Sequence, residues 1–460
     1  MDKVGVLIVS KSLSSPVMVD ALRRSQKYVP EFYVVEKQQN PFNLSAAKAH
    51  RVVPDLNLTD VALFASRYKE RIAFGLTDTE DFVTAGGRDS LEKVGIPMLC
   101  VSKKFAVERS KAEQRSLFDR IFKGANPDYK VFDAARYHSQ SEALRDFRET
   151  ASEFREVVVK PDAPARGAGV GVWGKDFRSD QETSAFFLDA LSRGRVVVEK
   201  RVEGEESSFH AFSDGKHFVA APLTRDYKRA LDGNKGKLTG GMGSYRAPSQ
   251  RLPFISLTEW ERLVSAEEAS FRKWRGRGSE PGLRGIVLYD AIMHTRRGFK
   301  VLERNSRGGN TEVISILSTI ADDFVDVCHR ILDGSLRSIR FSRKASVVTC
   351  AVPEGYGTGP GVPTNGSPID LSAAVAMGAA SPDKLKIFPM DVRVDSGRTL
   401  MGSSRAVAVV GLGDSLESAR TRSLRGARAL TGPLRWRKDI ASFRDLRACA
   451  ARLRSLRTSA

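Results

Sequence analysis

The chain is poor in metal-seeking and bridging side chains: 460 residues hold four cysteines and six histidines. Cys100, Cys328, Cys350 and Cys449 lie far apart, with no CxxC pair and no histidine at zinc-ligand spacing. That excludes a disulfide scaffold and a structural zinc site, and it fits reduced thiols in a cytoplasmic protein. Long apolar runs are also missing, since none approaches the ~20 residues that span a bilayer. The opening apolar run is broken at Lys11 and no small-residue cleavage site follows, so it is expected to be a first strand rather than a signal peptide. Internal repeats and low-complexity tracts are absent. Acidic residues are in deficit, 55 against 74 lysines and arginines, for a net charge of +19. Such a balance attracts polyanions and phosphorylated small molecules and leaves nucleic acid as an alternative partner, but it does not bear on fold.

What is present is ample for a globular protein, because 41% hydrophobic residues over this length supply cores for roughly three domains. Residues 4–123 alternate strands (4–9, 32–35, 72–75, 98–101) with helices (16–24, 80–94 and one through 117). The alternation predicts a doubly wound parallel sheet with ligands at the carboxyl ends of its strands. A strand at 157–160, the glycine-rich stretch PDAPARGAGVGVWG, a return strand, a helix at 180–192, a strand at 195–198 and the acidic knot Glu203-Gly204-Glu205-Glu206 follow. Glycine lets backbone N–H groups approach an anion, so this loop could cover phosphates; a plain hairpin with a flexible tip is the other reading. Residues 224–245 form an apparent long loop in which Arg225, Asp226, Lys228 and Arg229 could hold an acidic substrate. A helix at 258–274, a hairpin and a helix at 312–332 come next, then a small α+β unit from about 345. Phe443, Leu446, Ala450 and Leu453 make one apolar stripe among arginines, the pattern of a docked tail helix with a solvated face, with membrane or RNA binding as the alternative.

The hairpin carries the chemistry. Residues 285–294 and 299–305 flank Thr295-Arg296-Arg297-Gly298, and a two-residue turn there puts Thr295 opposite Gly298 and, counting back, Asp290 opposite Glu303. Strand alternation puts Asn305 on the face of Glu303. Two carboxylates and an amide oxygen are hard ligands of the kind that hold Mg2+, or Mn2+, beside nucleotide phosphates. Ordinary polar residues on a wet face, paired with nearby arginines, would give the same pattern.

Several stretches resemble the ATP-grasp superfamily, and within it the phosphoribosylamine–glycine ligase family. The segment Leu302-Glu303-Arg304-Asn305-Ser306-Arg307-Gly308 resembles that family's LEfNvRfG; VVEKRVEGEESSF, DYKRALDG and TGGMGSY match further motifs, with support from Ser110-Lys111-Ala112, Lys160 with Asp162, Arg405 and Arg437-Lys438-Asp439-Ile440. The resemblance implies an α/β chain with an N-terminal domain at 1–123, an ATP-grasp domain at 124–340 whose lid covers about 128–213, a C-terminal α+β domain at 341–440 and a tail helix at 441–460. It implies an ATP-dependent ligase of purine synthesis that phosphorylates a carboxylate, that of glycine, and joins it to an amine, phosphoribosylamine; another carboxylate and amine, or a nucleic-acid binder on a retired scaffold, are the alternatives. By the same resemblance Lys111, Lys160, Arg166, Gly167 and Gly169 would meet nucleotide phosphates, Glu199 and the backbone of Arg201 the adenine, and Glu205 or Glu206 the ribose. Arg307, Lys228 and Asp226 would serve the acceptor side, and Glu303 and Asn305 the metal. The separation of Asp290 from these two resembles the three-ligand metal set of D-alanine–D-alanine ligases. Departures fall in the first loop, where Ser10-Lys11-Ser12-Leu13-Ser14-Ser15-Pro16 replaces a glycine-rich turn, in Gly167-Ala168-Gly169, which lacks the loop lysine, and in Gly308-Gly309-Asn310-Thr311-Glu312. The serine hydroxyls and Lys11 are expected to accept an anionic group at the first helix's amino end.

Overall fold

The computed structural model describes residues 1–162, 169–276, 282–358 and 365–458. Its amino-terminal sheet is parallel throughout, in the order Ala47–Val52, Tyr28–Glu36, Asp2–Ser10, Ile72–Thr77. Asp2–Ser10 is central and buried from Val4 onward, as a strand covered by helices on both faces must be. Ala47–Val52 escapes the sequence reading because AKAHRV has no apolar alternation. The strand expected at 98–101 is reduced to single bridges, Met98 with Gly75 and Val101 with Leu283. The helix expected at 80–94 divides into Glu80–Ala85 and Gly87–Lys93, because Gly86 adopts φ +98°, a conformation that ends a helix.

Two antiparallel sheets follow. One, in the order Tyr129–Phe132, Val196–Lys200, Val157–Pro161, Gly171–Val172, packs beneath the helices Gln140–Phe154 and Asp180–Ser192 around its own core, where Phe147 and Phe187 stack at 4.2 Å. The other runs Phe218–Ala220, Glu205–Asp214, Arg284–His294, Phe299–Asn305. A third sheet joins Arg225–Asp226 and Gly243–Arg246 to Ala345–Pro353, Val407–Gly413 and Leu385–Pro389. The apparent long loop at 224–245 is therefore mostly paired backbone: besides these two strands it holds the hairpin Arg229–Leu231 with Lys235–Leu238. The helix expected at 312–332 is two, Glu312–Ser318 and Phe324–Leu332. The tail is a helix, Phe443–Thr458, docked through Cys449 and Leu453, while Phe443 of the expected apolar stripe stands 74% exposed. Among the described residues no helix is long and apolar enough to cross a membrane.

Candidate active site

The hairpin closes as counted, with the Thr295 N–H donating to the Gly298 carbonyl at 2.9 Å. His294, Met293 and Ile292 pair with Phe299, Lys300 and Val301, but Leu302 then stands out of register, so that Ala291 faces Glu303, Asp290 faces Arg304 and Tyr289 faces Asn305. One extra residue turns every later side chain to the opposite face. Glu303 and Asn305 line a cavity together, and Asp290 points into the core. There it grips Arg304 at 2.6 Å beside Glu267, all three fully buried, with the Arg304 guanidinium over the rings of Phe118 and Trp274. Burial, and then the Asp290 charge, push Glu267 well above the usual carboxylate range. Asp290 is thus corrected from metal ligand to core ion pair. Asp290→Asn is expected to lower stability by about 3 kcal/mol, the usual result of stranding a buried partner, and to leave Mg2+ titrations of activity unchanged; a raised Mg2+ requirement would return it to the site.

The bulge has a chemical use. An unpaired backbone carbonyl remains at Leu302, and both Lys160, at 2.9 Å, and Arg115 donate to it. The same two cations hold Glu199, at 2.8 and 2.7 Å, and together they win over burial in keeping its carboxyl ionised, whereas burial outweighs Glu199 in lowering the pKa of Lys160. Arg115, one of two arginines in the helix Lys111–Ile121, carries no sequence signal that would have marked it.

Lys160 and Glu199 line a cavity of about 750 Å³ between the first two antiparallel sheets, which Arg201, Glu205, Glu206 and Leu302 also border. The Arg201 N–H is already given to the Glu156 carbonyl, so of the backbone expected to meet adenine there the N–H takes no part. Glu205 is held by Arg225 at 2.8 Å and by Arg452 at 2.5 Å, while Glu206 pairs with Lys228 at 2.9 Å. Gly169 has φ +88°, in the left-handed region that favours glycine; Arg166 and Gly167 lie outside the described residues.

A second cavity adjoins the first. Lys111, Arg307, Asn305 and Glu312 line it, and Asp226, Lys228, Ala291 and Glu303 border both. The two lysines expected on phosphates thus face different cavities. Arg307 lies between Glu108, at 3.0 Å, and Glu80, at 3.7 Å. Burial prevails over Arg307 in raising the pKa of Glu108, but at Glu80 burial loses to Arg307 and Lys11, which hold it at about 2. Among the described residues Glu303 has no hydrogen-bond or ion-pair partner, and the Asn305 amide nitrogen donates to the Tyr289 carbonyl at 3.4 Å, which turns the amide oxygen the other way. A half-buried unpaired carboxylate beside an amide oxygen suits a hard cation. No group of three or more acidic, histidine or cysteine side chains is placed to hold a metal ion among the described residues, so a metal here would complete its shell from substrate oxygens and water, as Mg2+ does.

Across this cavity Asp226 and Glu312 are bridged by the Thr311 hydroxyl, 3.4 and 3.0 Å from their oxygens. Neutral His210, lowered to about 4 by burial, accepts the Gly309 N–H at 3.0 Å beside them; a Cβ at Gly309 would lie 2.6 Å from the Glu312 carboxyl. Burial and the Glu312 charge push Asp226 up to about 8. Because that exceeds the unfolded value of about 4, the native state keeps a proton between these pH values that the unfolded chain has released, and the stability it brings is lost as pH rises towards 8. Asp226→Asn should therefore gain thermal stability over the parent progressively from about pH 4 to about pH 8 and level off above it, by no more than about 1.4 kcal/mol per pH unit; a constant difference across that range would refute the raised Asp226 pKa.

The first loop departs from expectation in another way. The backbone N–H groups of Lys11, Leu13, Ser14 and Ser15 all donate to the Asp78 carboxylate at 2.8–3.1 Å, and the Ser10 hydroxyl joins them. Lys11 itself pairs with Glu80 and Asp81. An anion-binding nest does form at the amino end of the helix Ser15–Arg23, but a carboxylate of the chain fills it, so the expected external anion is displaced by an internal one.

A cavity enclosed between two antiparallel sheets, with the Lys160–Glu199 pair on one and the Glu303–Asn305 face on the other, defines an ATP-grasp protein. A sequence profile described as phosphoribosylglycinamide synthetase, ATP-grasp (A) domain, matches residues 111–313. Phosphoribosylamine–glycine ligase of Pyrococcus furiosus is 32% identical over 436 residues, 93% of this chain and 92% of its own length; that of Methanocella arvoryzae is 32% identical over 445 residues, 96% and 97% of the two chains. The crystal structure of phosphoribosylamine–glycine ligase from Thermotoga maritima has the same fold, with a TM-score of 0.72 over 95% of this chain and 100% of that one at 22% identity. N5-carboxyaminoimidazole ribonucleotide synthetase from Thermus thermophilus gives 0.61 over 92% and 98% at 14% identity. The chain belongs to the phosphoribosylamine–glycine ligase family.

Proposed function

We propose that the chain joins glycine to phosphoribosylamine at the expense of ATP, with Mg2+ at Glu303 and Asn305. The carrying observation is that Glu303, Asp226 and Lys228 border both cavities, so the terminal phosphate of a nucleotide in the lid cavity would meet a carboxylate in the other. The substrate carboxylate oxygen attacks the γ-phosphorus as the bond to ADP breaks, giving an acyl phosphate. The amine then attacks the acyl carbon, phosphate leaves and the nitrogen loses a proton. Bound Mg2+ would neutralise charge on the phosphate oxygens. Lys228, pinned by Glu206, adds a fixed positive charge at the same point. Arg307, clamped by Glu108 and Glu80, is oriented to read the glycine carboxylate, and the Asp226–Glu312 pair stands where an amine proton can be received.

With the first loop filled by Asp78, the sugar phosphate is better served by Lys37, Ser403 and Arg405, which line the same cavity. The test is ADP release with ATP, glycine and phosphoribosylamine, each omitted in turn. Release that needs all three supports the assignment; release with a different amine or carboxylate, and none with this pair, would overturn it.

A further inference from the structure

The nucleotide cavity has a wall that belongs to neither sheet. Arg452, Leu453 and Leu456 of the terminal helix Phe443–Thr458 line it. Asp445, Cys449, Leu453 and Leu456 follow at intervals of three or four, one stripe of a helix, with Arg452 beside it. The helix is tied down at three places. Near its start, Tyr227, which separates Asp226 from Lys228, donates its hydroxyl to Asp445 at 2.6 Å and accepts the Ala441 N–H at 2.9 Å. In the middle, Arg452 holds Glu205 from one side while Arg225 holds it from the other. Towards the end, Arg457 contacts Glu259 of the helix Leu257–Trp274. Cys449 and Leu453 are buried, but Leu456 is only half-buried, an apolar side chain at a cavity edge with surface left to cover.

We propose that the terminal helix is part of the nucleotide-binding site: Leu453 and Leu456 pack against the nucleoside and Arg452 fixes Glu205, so nucleotide binding and helix docking stabilise each other. This rests on reading the lid cavity as the nucleotide site. Linkage requires the effect to be reciprocal: whatever the helix adds to nucleotide affinity, the nucleotide returns as protection of the helix.

Hydrogen exchange of the full chain with and without Mg-ADP tests this, together with ADP binding by Leu456→Asp and Arg452→Ala. Mg-ADP is expected to slow exchange over 443–458 and over 199–206 together. Leu456→Asp should weaken ADP at least tenfold, and Arg452→Ala less, while binding of inorganic tripolyphosphate, which has no nucleoside, stays unchanged and the nucleotide-free thermal transition is retained. Protection of 199–206 without 443–458, or equal losses for ADP and tripolyphosphate, would overturn the helix's role while the nucleotide site stands. Protection of neither segment by bound ADP would overturn the nucleotide reading and this inference with it.

Discussion

Glu303→Gln and Asn305→Ala are each expected to abolish ADP release, by more than about 100-fold, since substitutions one shell further out already cost 10–100-fold in metal sites. The two residues set a carboxylate and an amide oxygen on one face of the hairpin, Glu303 opposite Ala291 and Asn305 opposite Tyr289, with Glu303 bordering both cavities and Asn305 the second. Neither substitution should harm folding much. The Glu303 carboxylate has no hydrogen-bond or ion-pair partner among the described residues, and its charge adds to the pressure raising Glu108 while favouring charged Lys160 and Lys228, so the uncharged variant is expected to melt close to the parent temperature without metal. Asn305→Ala loses one long hydrogen bond to the Tyr289 carbonyl. Steady-state turnover over a Mg2+ and Mn2+ titration, with a melting curve for each variant, separates loss of a ligand from loss of fold. Near-parental turnover in either variant at ordinary Mg2+ would remove the metal from this face.

For Asp78→Ala the expected result is a loss of stability on the order of 3 kcal/mol, recovered in part by millimolar phosphate or formate. Asp78 is 3% exposed, and its removal strands the N–H groups of Lys11, Leu13, Ser14 and Ser15 in a place water reaches poorly. An unsatisfied buried donor costs about 1–3 kcal/mol, and four that share one acceptor do not add in full. A vacated nest at a helix amino end takes anions, so the variant's melting temperature should rise with formate or phosphate by more than the parent's does. An equal rise in both would mean that the parent loop already accepts an external anion and that Asp78 does not block it. A loss under about 0.5 kcal/mol, within the range of ordinary surface changes, would mean that the carboxylate does not hold the loop.

The contrast between these residues marks where reading the chain succeeds. The parallel amino-terminal sheet, the helix Asp180–Ser192, the turn at Thr295–Gly298 and the shared face of Glu303 and Asn305 were all legible, because each follows from periodicity or turn chemistry within a dozen residues. Asp290 was misplaced by counting alone: alternation is a local rule, and the bulge at Leu302 is imposed from outside the hairpin by Lys160 and Arg115, which take its carbonyl. Gly86 ended a helix that composition alone continued.

By itself, then, the sequence determined the order of strands and helices, the residue types available for metal and phosphate, and the family. Tertiary structure alone decided which of those residues meet: that Asp78, more than sixty residues from Ser10 in the chain, fills the loop, that Arg304 rather than a metal receives Asp290, and that the last helix walls the cavity lined by Lys160 and Glu199. Backbone period fixes where a side chain points along its own strand or helix. Whether a charge is paired, hydrated or left for a ligand depends on elements distant in sequence, because burial and opposite charge act through space.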